Sequence, residues 1–121
     1  MTGEGPIVIT GAAGQLGRAL MRVLADLPLL PLSRAEADVA DPAVAGQLER
    51  LRPRAILHAA AWTDVDGCEL NPSHAVRVNA EGARHVALAA AAVDAHLVYF
   101  STDYVFDGTK GTPYTEADPP N

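Results

Sequence analysis

Three observations predict an α/β fold with a doubly wound, mostly parallel sheet. Short apolar runs alternate with longer amphipathic ones along the 121 residues. A glycine triplet stands directly between the first apolar run and the first amphipathic one. Hydrophobic residues make up 49% of the chain and charged residues 20%, the balance of a packed globule with one core.

The elements follow in order. Ile7–Thr10 is apolar and β-branched and stops at Gly11, which reads as a buried strand. Leu16, Leu20, Val23, Leu24 and Leu27 then mark one face of a helix. Leu29–Leu32 is a second strand, with Pro28 and Pro31 suited to strand ends or to an edge. Asp41-Pro42 reads as an N-cap followed by proline in the first turn, opening a helix whose stripe is Val44, Leu48 and Leu51 and which Pro53 closes. Ala55–His58 is the third strand. Asn71-Pro72 repeats the cap-plus-proline signal before a long helix with an inward stripe of Val76, Ala80, Ala83, Val86, Ala90 and Val93. The alanines at 89–92 suit a helix face lying close to the sheet. Residues 96–100 form the fourth strand, and residues 101–121 show no helix or strand pattern, which in a compact domain marks a functional or incomplete segment.

Composition narrows the function. A net charge of −6 argues against a nucleic-acid surface, which needs clustered Lys and Arg. Cys68 is the sole cysteine, so no internal disulfide is expected and a reducing cytoplasm is the natural compartment. The first apolar run is too short for a signal peptide, and no apolar stretch is long enough to span a bilayer, so no membrane partner is expected. His58, His74, His85 and His96 lack metal-ligand spacing, and no metal is expected.

Gly11, Gly14 and Gly17 form a G-x-x-G-x-x-G loop between strand and helix. Glycine permits the tight turn and lets backbone N–H groups approach a pyrophosphate, which then rests on the positive end of the helix. An ordinary strand-to-helix turn would show the same triplet, but the flanking strand and amphipathic helix favour an NAD(P)-binding site of Rossmann type. The second strand ends in Ser33-Arg34 rather than an acidic residue; Arg34 can pair with a 2′-phosphate, which favours NADPH with NADH as the alternative, or stand simply as a solvent-exposed loop arginine. Asp38 suits the adenine amino group or, alternatively, the approach to the next helix. Ala59, Ala60 and Ala61 follow the third strand and allow a flat ligand against the backbone, or simply tight packing. Asn79 falls on an inward stripe, where a buried amide needs partners; it is expected to brace a loop at the active edge, though a purely structural bond would satisfy it equally well.

After the fourth strand stands Ser101-Thr102-Asp103-Tyr104-Val105-Phe106-Asp107-Gly108, at the carboxyl end where open α/β sheets bind ligands. With GAAGQLG at 11–17, LRPRAILHAAAWTDVD at 51–66 and RVNAEG at 77–82, this run resembles the dTDP-4-dehydrorhamnose reductase family of extended short-chain dehydrogenases, over nearly the whole chain. The resemblance implies reduction of the 4-keto group of a dTDP-4-dehydro-6-deoxy-sugar by NADPH, in deoxysugar biosynthesis, and places the third strand beside the first. Residue by residue, Gly11, Gly14, Gln15, Leu16 and Gly17 match the family's pyrophosphate loop. Asp38 and Val39 match its adenine contacts, and Ala61, Trp62 and Thr63 its loop near the cofactor. Thr102 matches the threonine that polarises the sugar carbonyl, and Asp103 a substrate contact. His58 stands where asparagine is common, and Trp62 where Tyr or His is.

The family's Tyr-x-x-x-Lys pair, whose tyrosine lies in a P-x-N-x-Y-G stretch, has no counterpart in the chain, where none of Tyr99, Tyr104 and Tyr114 precedes a lysine by four residues. Residues 1–121 are therefore expected to be the N-terminal NAD(P)-binding part, with an incomplete sheet and the remaining catalytic and substrate region outside them. Taken alone they are expected to be inactive, and a homodimer is expected of the complete protein. Two other readings stand beside the reductase. One is a non-catalytic nucleotide-binding regulatory subunit on the same scaffold, like that of methionine adenosyltransferase; the other is a nucleotide-sugar epimerase or dehydratase.

Overall fold

The structure, a computed structural model, describes residues 4–121. Four parallel strands, β1 (Ile7–Thr10), β2 (Leu29–Leu32), β3 (Ala55–His58) and β4 (His96–Tyr99), form one sheet in the order β2-β1-β3-β4. The strand beginning at Ala55 thus lies beside the first, as the resemblance implied. Pro31 sits on the edge strand β2, opposite Ile9, where a missing N–H is tolerated. The pairing is in phase: Leu32, Thr10, His58 and Tyr99 share one row, so all four strands end at the same level. Everything that follows a strand therefore emerges along one edge.

The main core cluster lies on one side of this sheet, while Ile9, which alternates with Val8, is buried on the other. Val8 and Ile56 pack with Val44 and Leu48 of α2 (Val44–Arg50) and with Val86, Ala89 and Ala90 of α5 (Gly82–Ala92). Each fully buried Leu, Ile or Val contributes about 1.5–3 kcal/mol relative to exposure. Small residues set the spacing: a Cβ on Gly82 would lie 2.8 Å from Val39 Cγ2, and Ala89 is fully enclosed, whereas Ala91 and Ala92 face out. Among the described residues no helix is long and apolar enough to cross a membrane.

Four expectations need correction. The first helix, α1 (Gln15–Val23), packs against β2, but much of its apolar stripe stays open; Leu16 and Val23 are 40% and 71% exposed, and Leu27 lies beyond the helix. The helix expected at Asp41-Pro42 begins at Val44. Asp41 instead accepts from the Ala43 N–H (2.9 Å), and its carbonyl accepts from Val44, which makes a turn that leads into the helix. The long helix after Asn71 is not one continuous α-helix. It starts as α4 (Pro72–Ala75), passes through a π-helical turn (Val76–Glu81) and continues as α5. The π-turn shifts the phase, so Val76 and Ala80 point outward although Val86 and Ala90 point in. A short helix, α3 (Val65–Leu70), stands where no helix was expected, capped by Asp64, whose carboxylate accepts from the Gly67 N–H (3.0 Å).

Candidate functional site

The loop after β1 is shaped by its glycines. Gly11 adopts φ +62°, in the left-handed region, and a Cβ there would lie 2.6 Å from the Ala60 Cα. Gly14 donates to the Gly11 carbonyl (3.0 Å), which closes the turn, and is the N-cap of α1. Gly17 is buried, and a Cβ on it would strike the Gly11 carbonyl and lie 2.6 Å from the Ala12 Cα. The turn therefore brings the first amides of α1 to the sheet edge. No side chain caps that terminus, and its first turn holds no acidic residue, so its positive end is free of internal compensation. Gln15 and Leu16, in that first turn, are exposed.

The other predicted residues line the same edge to differing degrees. Arg34 is exposed in the turn after β2. Beside it the Glu36 carboxylate accepts from the Ser33 N–H (3.0 Å), and that bond, with the Ser33 hydroxyl, holds its pKa below the usual carboxylate range. An acidic residue thus does stand near the end of β2, engaged by the turn itself. Asp38 is exposed and accepts from Ala40 N–H (3.0 Å). Val39 is a core residue, and its carbonyl accepts from His85 Nδ1 (2.8 Å), so it offers a ligand backbone rather than side chain. Ala59 and Ala60 are half-buried against the glycine loop, and Ala61 and Thr63 are exposed on either side of the half-buried Trp62. Asn79 is the expected brace: its Oδ1 accepts from the Trp62 N–H (2.8 Å) and its Nδ2 donates to the Trp62 carbonyl (3.0 Å).

Thr102 and Asp103 leave β4 at the same edge, both exposed. The Thr102 hydroxyl accepts from the Tyr104 N–H (3.2 Å), capping a 3-10 turn (Asp103–Val105). Its own proton points at Asp103 Oδ1 over 3.4 Å, longer than a normal O–H···O bond, and so is readily redirected to a ligand. Residues 106–121 contain no helix or strand, yet side chains stitch them together. Phe106 stacks on Tyr114 (4.3 Å), Asp107 accepts from Thr109 (3.0 and 2.8 Å) and from the Tyr114 hydroxyl (3.1 Å), and Lys110 Nζ meets Asp118 (2.5 Å).

One polar pair at this edge escaped the sequence reading. Thr10 and His58, the last residues of β1 and β3, are both buried and share a hydrogen bond of 2.8 Å between Oγ1 and Nδ1. Tyr99 stacks over the histidine at 6.0 Å. Burial holds the His58 pKa below its ordinary value. The signal was a polar residue closing each of two apolar strands. Among the described residues, no group of three His, Cys, Asp or Glu side chains is placed to hold a metal ion.

Known proteins with this arrangement agree in kind. The family model of the RmlD substrate binding domain matches residues 5–121. A dTDP-4-dehydrorhamnose reductase of Burkholderia thailandensis is 44% identical over 115 residues, which cover 93% of this chain and 39% of that protein. A dTDP-4-keto-6-deoxy-D-glucose reductase of Streptomyces niveus is 42% identical over 113 residues, 91% of this chain and 39% of the relative. The crystal structure of a Bacillus anthracis dTDP-4-dehydrorhamnose reductase in complex with NADP superposes with a TM-score of 0.90 at 38% identity, covering 99% of this chain and 44% of that one. The chain thus spans about two fifths of the length of the curated relatives it matches. With a doubly wound parallel sheet, a glycine loop at its edge and this degree of identity, the chain belongs to the dTDP-4-dehydrorhamnose reductase family.

Proposed function

We propose that the protein reduces the 4-keto group of a dTDP-4-dehydro-6-deoxyhexose with NADPH, and that residues 1–121 supply the dinucleotide-binding part. The observation that carries this reading is the Gly11–Gly17 loop. Its left-handed glycine, uncapped helix terminus and backbone contact with Ala60 form a cradle that a Cβ would fill. Such a cradle fits a pyrophosphate, whose oxygens accept from the amides of Gln15, Leu16 and Gly17. Arg34, exposed at the end of β2, is suited to a 2′-phosphate, and Asp38 to the adenine amino group. Ala59 to Thr63 flank the cofactor, Thr102 offers its loosely held proton to the sugar carbonyl, and Asp103 a carboxylate to the sugar. When bound, NADPH supplies the hydride. The relative crystallised with NADP and the two relatives named as reductases of dTDP-keto-sugars support the same assignment.

The experiment is to follow NADPH absorbance with a dTDP-4-keto-6-deoxyhexose, for the full-length protein and its Gly11→Ala and Thr102→Val variants. Gly11→Ala should abolish cofactor binding, because the new methyl strikes Ala60. Thr102→Val should lower kcat while cofactor affinity stays nearly constant, the signature of an interaction made in the transition state. No turnover by the wild-type protein with any such sugar would end the reductase reading.

A further inference from the structure

The helix that crosses behind the β3 loop changes its winding where it meets that loop. Val76–Glu81 is π-helical although the backbone on either side keeps ordinary right-handed values, with φ −58° at Ala75 and −59° at Gly82. Such turns insert an extra residue and are frequent at functional sites. Here the insertion delivers Asn79 to the peptide of Trp62, which it grips at both ends (2.8 and 3.0 Å). A carboxamide carries the donor and acceptor of a peptide, so this pairing needs Asn rather than Asp or Leu. Other contacts hold the same residue. Its carbonyl also accepts from Cys68 Sγ (3.5 Å), its ring meets His74 edge-on at 4.7 Å, and it lies so close over Gly67 that a Cβ there would be 2.7 Å from Trp62 Cζ2. Two residues earlier, Ala60 forms the backbone wall against Gly11.

We propose that Asn79 is a positioning residue for the dinucleotide, using the π-turn to fix the Trp62 peptide and through it the wall of residues 59–63 beside the glycine loop. The proposal rests on the cofactor reading given above. In that arrangement the half-buried Trp62 acts as an anchor, and the exposed Ala61 and Thr63 on either side of it are presented to the ligand. Nothing in the role requires Asn79 to touch the cofactor.

Trp62 is the single tryptophan, so its emission reports the loop directly, and bound NADPH should quench it by energy transfer. The test titrates NADPH into the full-length protein and into Asn79→Asp, which keeps the acceptor for the Trp62 N–H but sets an oxygen against the Trp62 carbonyl. The variant should keep its far-ultraviolet circular dichroism, lose Trp62 anisotropy and bind NADPH about tenfold more weakly, the cost of one lost hydrogen bond with an unsatisfied partner. Leu48→Ala, a core truncation in α2, should lower thermal stability without moving NADPH affinity, which separates positioning from general destabilisation. An Asn79→Asp affinity within about twofold of wild type, a change under half a kcal/mol, overturns the proposal. Should Asn79→Asp not fold, amide exchange in the wild-type protein decides. The Trp62 N–H must exchange more slowly than those of Ala61 and Thr63 and slow further with NADPH, and equal rates at the three positions sink the proposal. A wild-type protein that binds no dinucleotide overturns the cofactor reading and this proposal together, a result distinct from wild-type binding that Asn79→Asp leaves intact.

Discussion

Arg34 and His58 show what single side chains contribute at the sheet edge. Arg34 is exposed and its turn already engages Glu36, so its charge is available to a ligand. Arg34→Ala should weaken NADPH more than NADH, by roughly 1.5–3 kcal/mol for a lost charged hydrogen bond. Equal loss with both cofactors, measured by titration, would make Arg34 a surface residue. His58 bears on stability instead. Burial lowers its folded-state pKa below the ordinary 6.5, so between those two values the unfolded chain binds the extra proton. Stability from this residue is therefore full above 6.5 and is lost as pH falls from there toward the folded-state value. His58→Asn, which cannot take up that proton, should flatten the urea-midpoint profile in this window, and an unchanged slope would assign it to other groups. Glycine positions and Asn79 were legible from sequence because each obeys a local rule: backbone space in a tight turn, and partners for a buried amide. The Thr10–His58 bond was not legible, since it joins residues 48 apart and exists only once β3 is paired in register with β1.

At the scale of elements, strands were read well and helices less so. Four apolar runs gave four strands, because a buried strand is announced by composition alone. Helix phase is a weaker signal. The π-turn at Val76–Glu81 adds a residue that no periodicity in one sequence reveals, and it moves Val76 and Ala80 off the core face. α3 was missed because Val65–Leu70 buries no side chain and holds Gly67 at its centre, leaving Asp64 as its main signal. The segment after β4 carried no pattern because its order comes from side chains. Its carboxylates give it a pH dependence. Asp107 lies below the usual range through the Thr109 N–H, the Thr109 hydroxyl and the Tyr114 hydroxyl, and Asp118 through Lys110 and the Thr115 N–H. Depressed carboxylate values mean order that is present above the ordinary aspartate pKa and lost as pH falls through the folded-state values. The protection factors of the amides over residues 106–118, which correct for the slowing of intrinsic exchange with falling pH, should therefore drop on acidification before those of the sheet amides respond. Tyr114→Phe, which keeps the ring stack but removes two hydrogen bonds, should loosen the segment even at neutral pH. Exchange that tracks the sheet at every pH would show that these contacts do not order the segment independently.

Across the whole molecule the two faces of the sheet are unlike. One carries α2 and α5 over a closed core of Val8, Leu48, Ile56 and Val86, all fully buried. Elsewhere α1 leaves Leu16 and Val23 open, and at the edge strand β4 and just beyond it Tyr99 and Phe100 are 55% and 39% exposed. The apolar pattern of α1 marks one face of a helix, and residues 4–121 cover that face only in part. An edge strand with unpaired N–H and C=O groups beside exposed aromatic rings is a template for association. A polypeptide of residues 1–121 alone should therefore self-associate as its concentration rises, through β4 and the open apolar surface. Light scattering across a dilution series would detect this. A charged residue at the edge should suppress it: Phe100→Lys is expected to return the polypeptide toward a monomer while leaving the α2–α5 core, and hence the far-ultraviolet spectrum, unchanged. A concentration-independent monomer for the unmodified polypeptide would show that the exposed β4 edge and α1 stripe are tolerated in water and do not drive association.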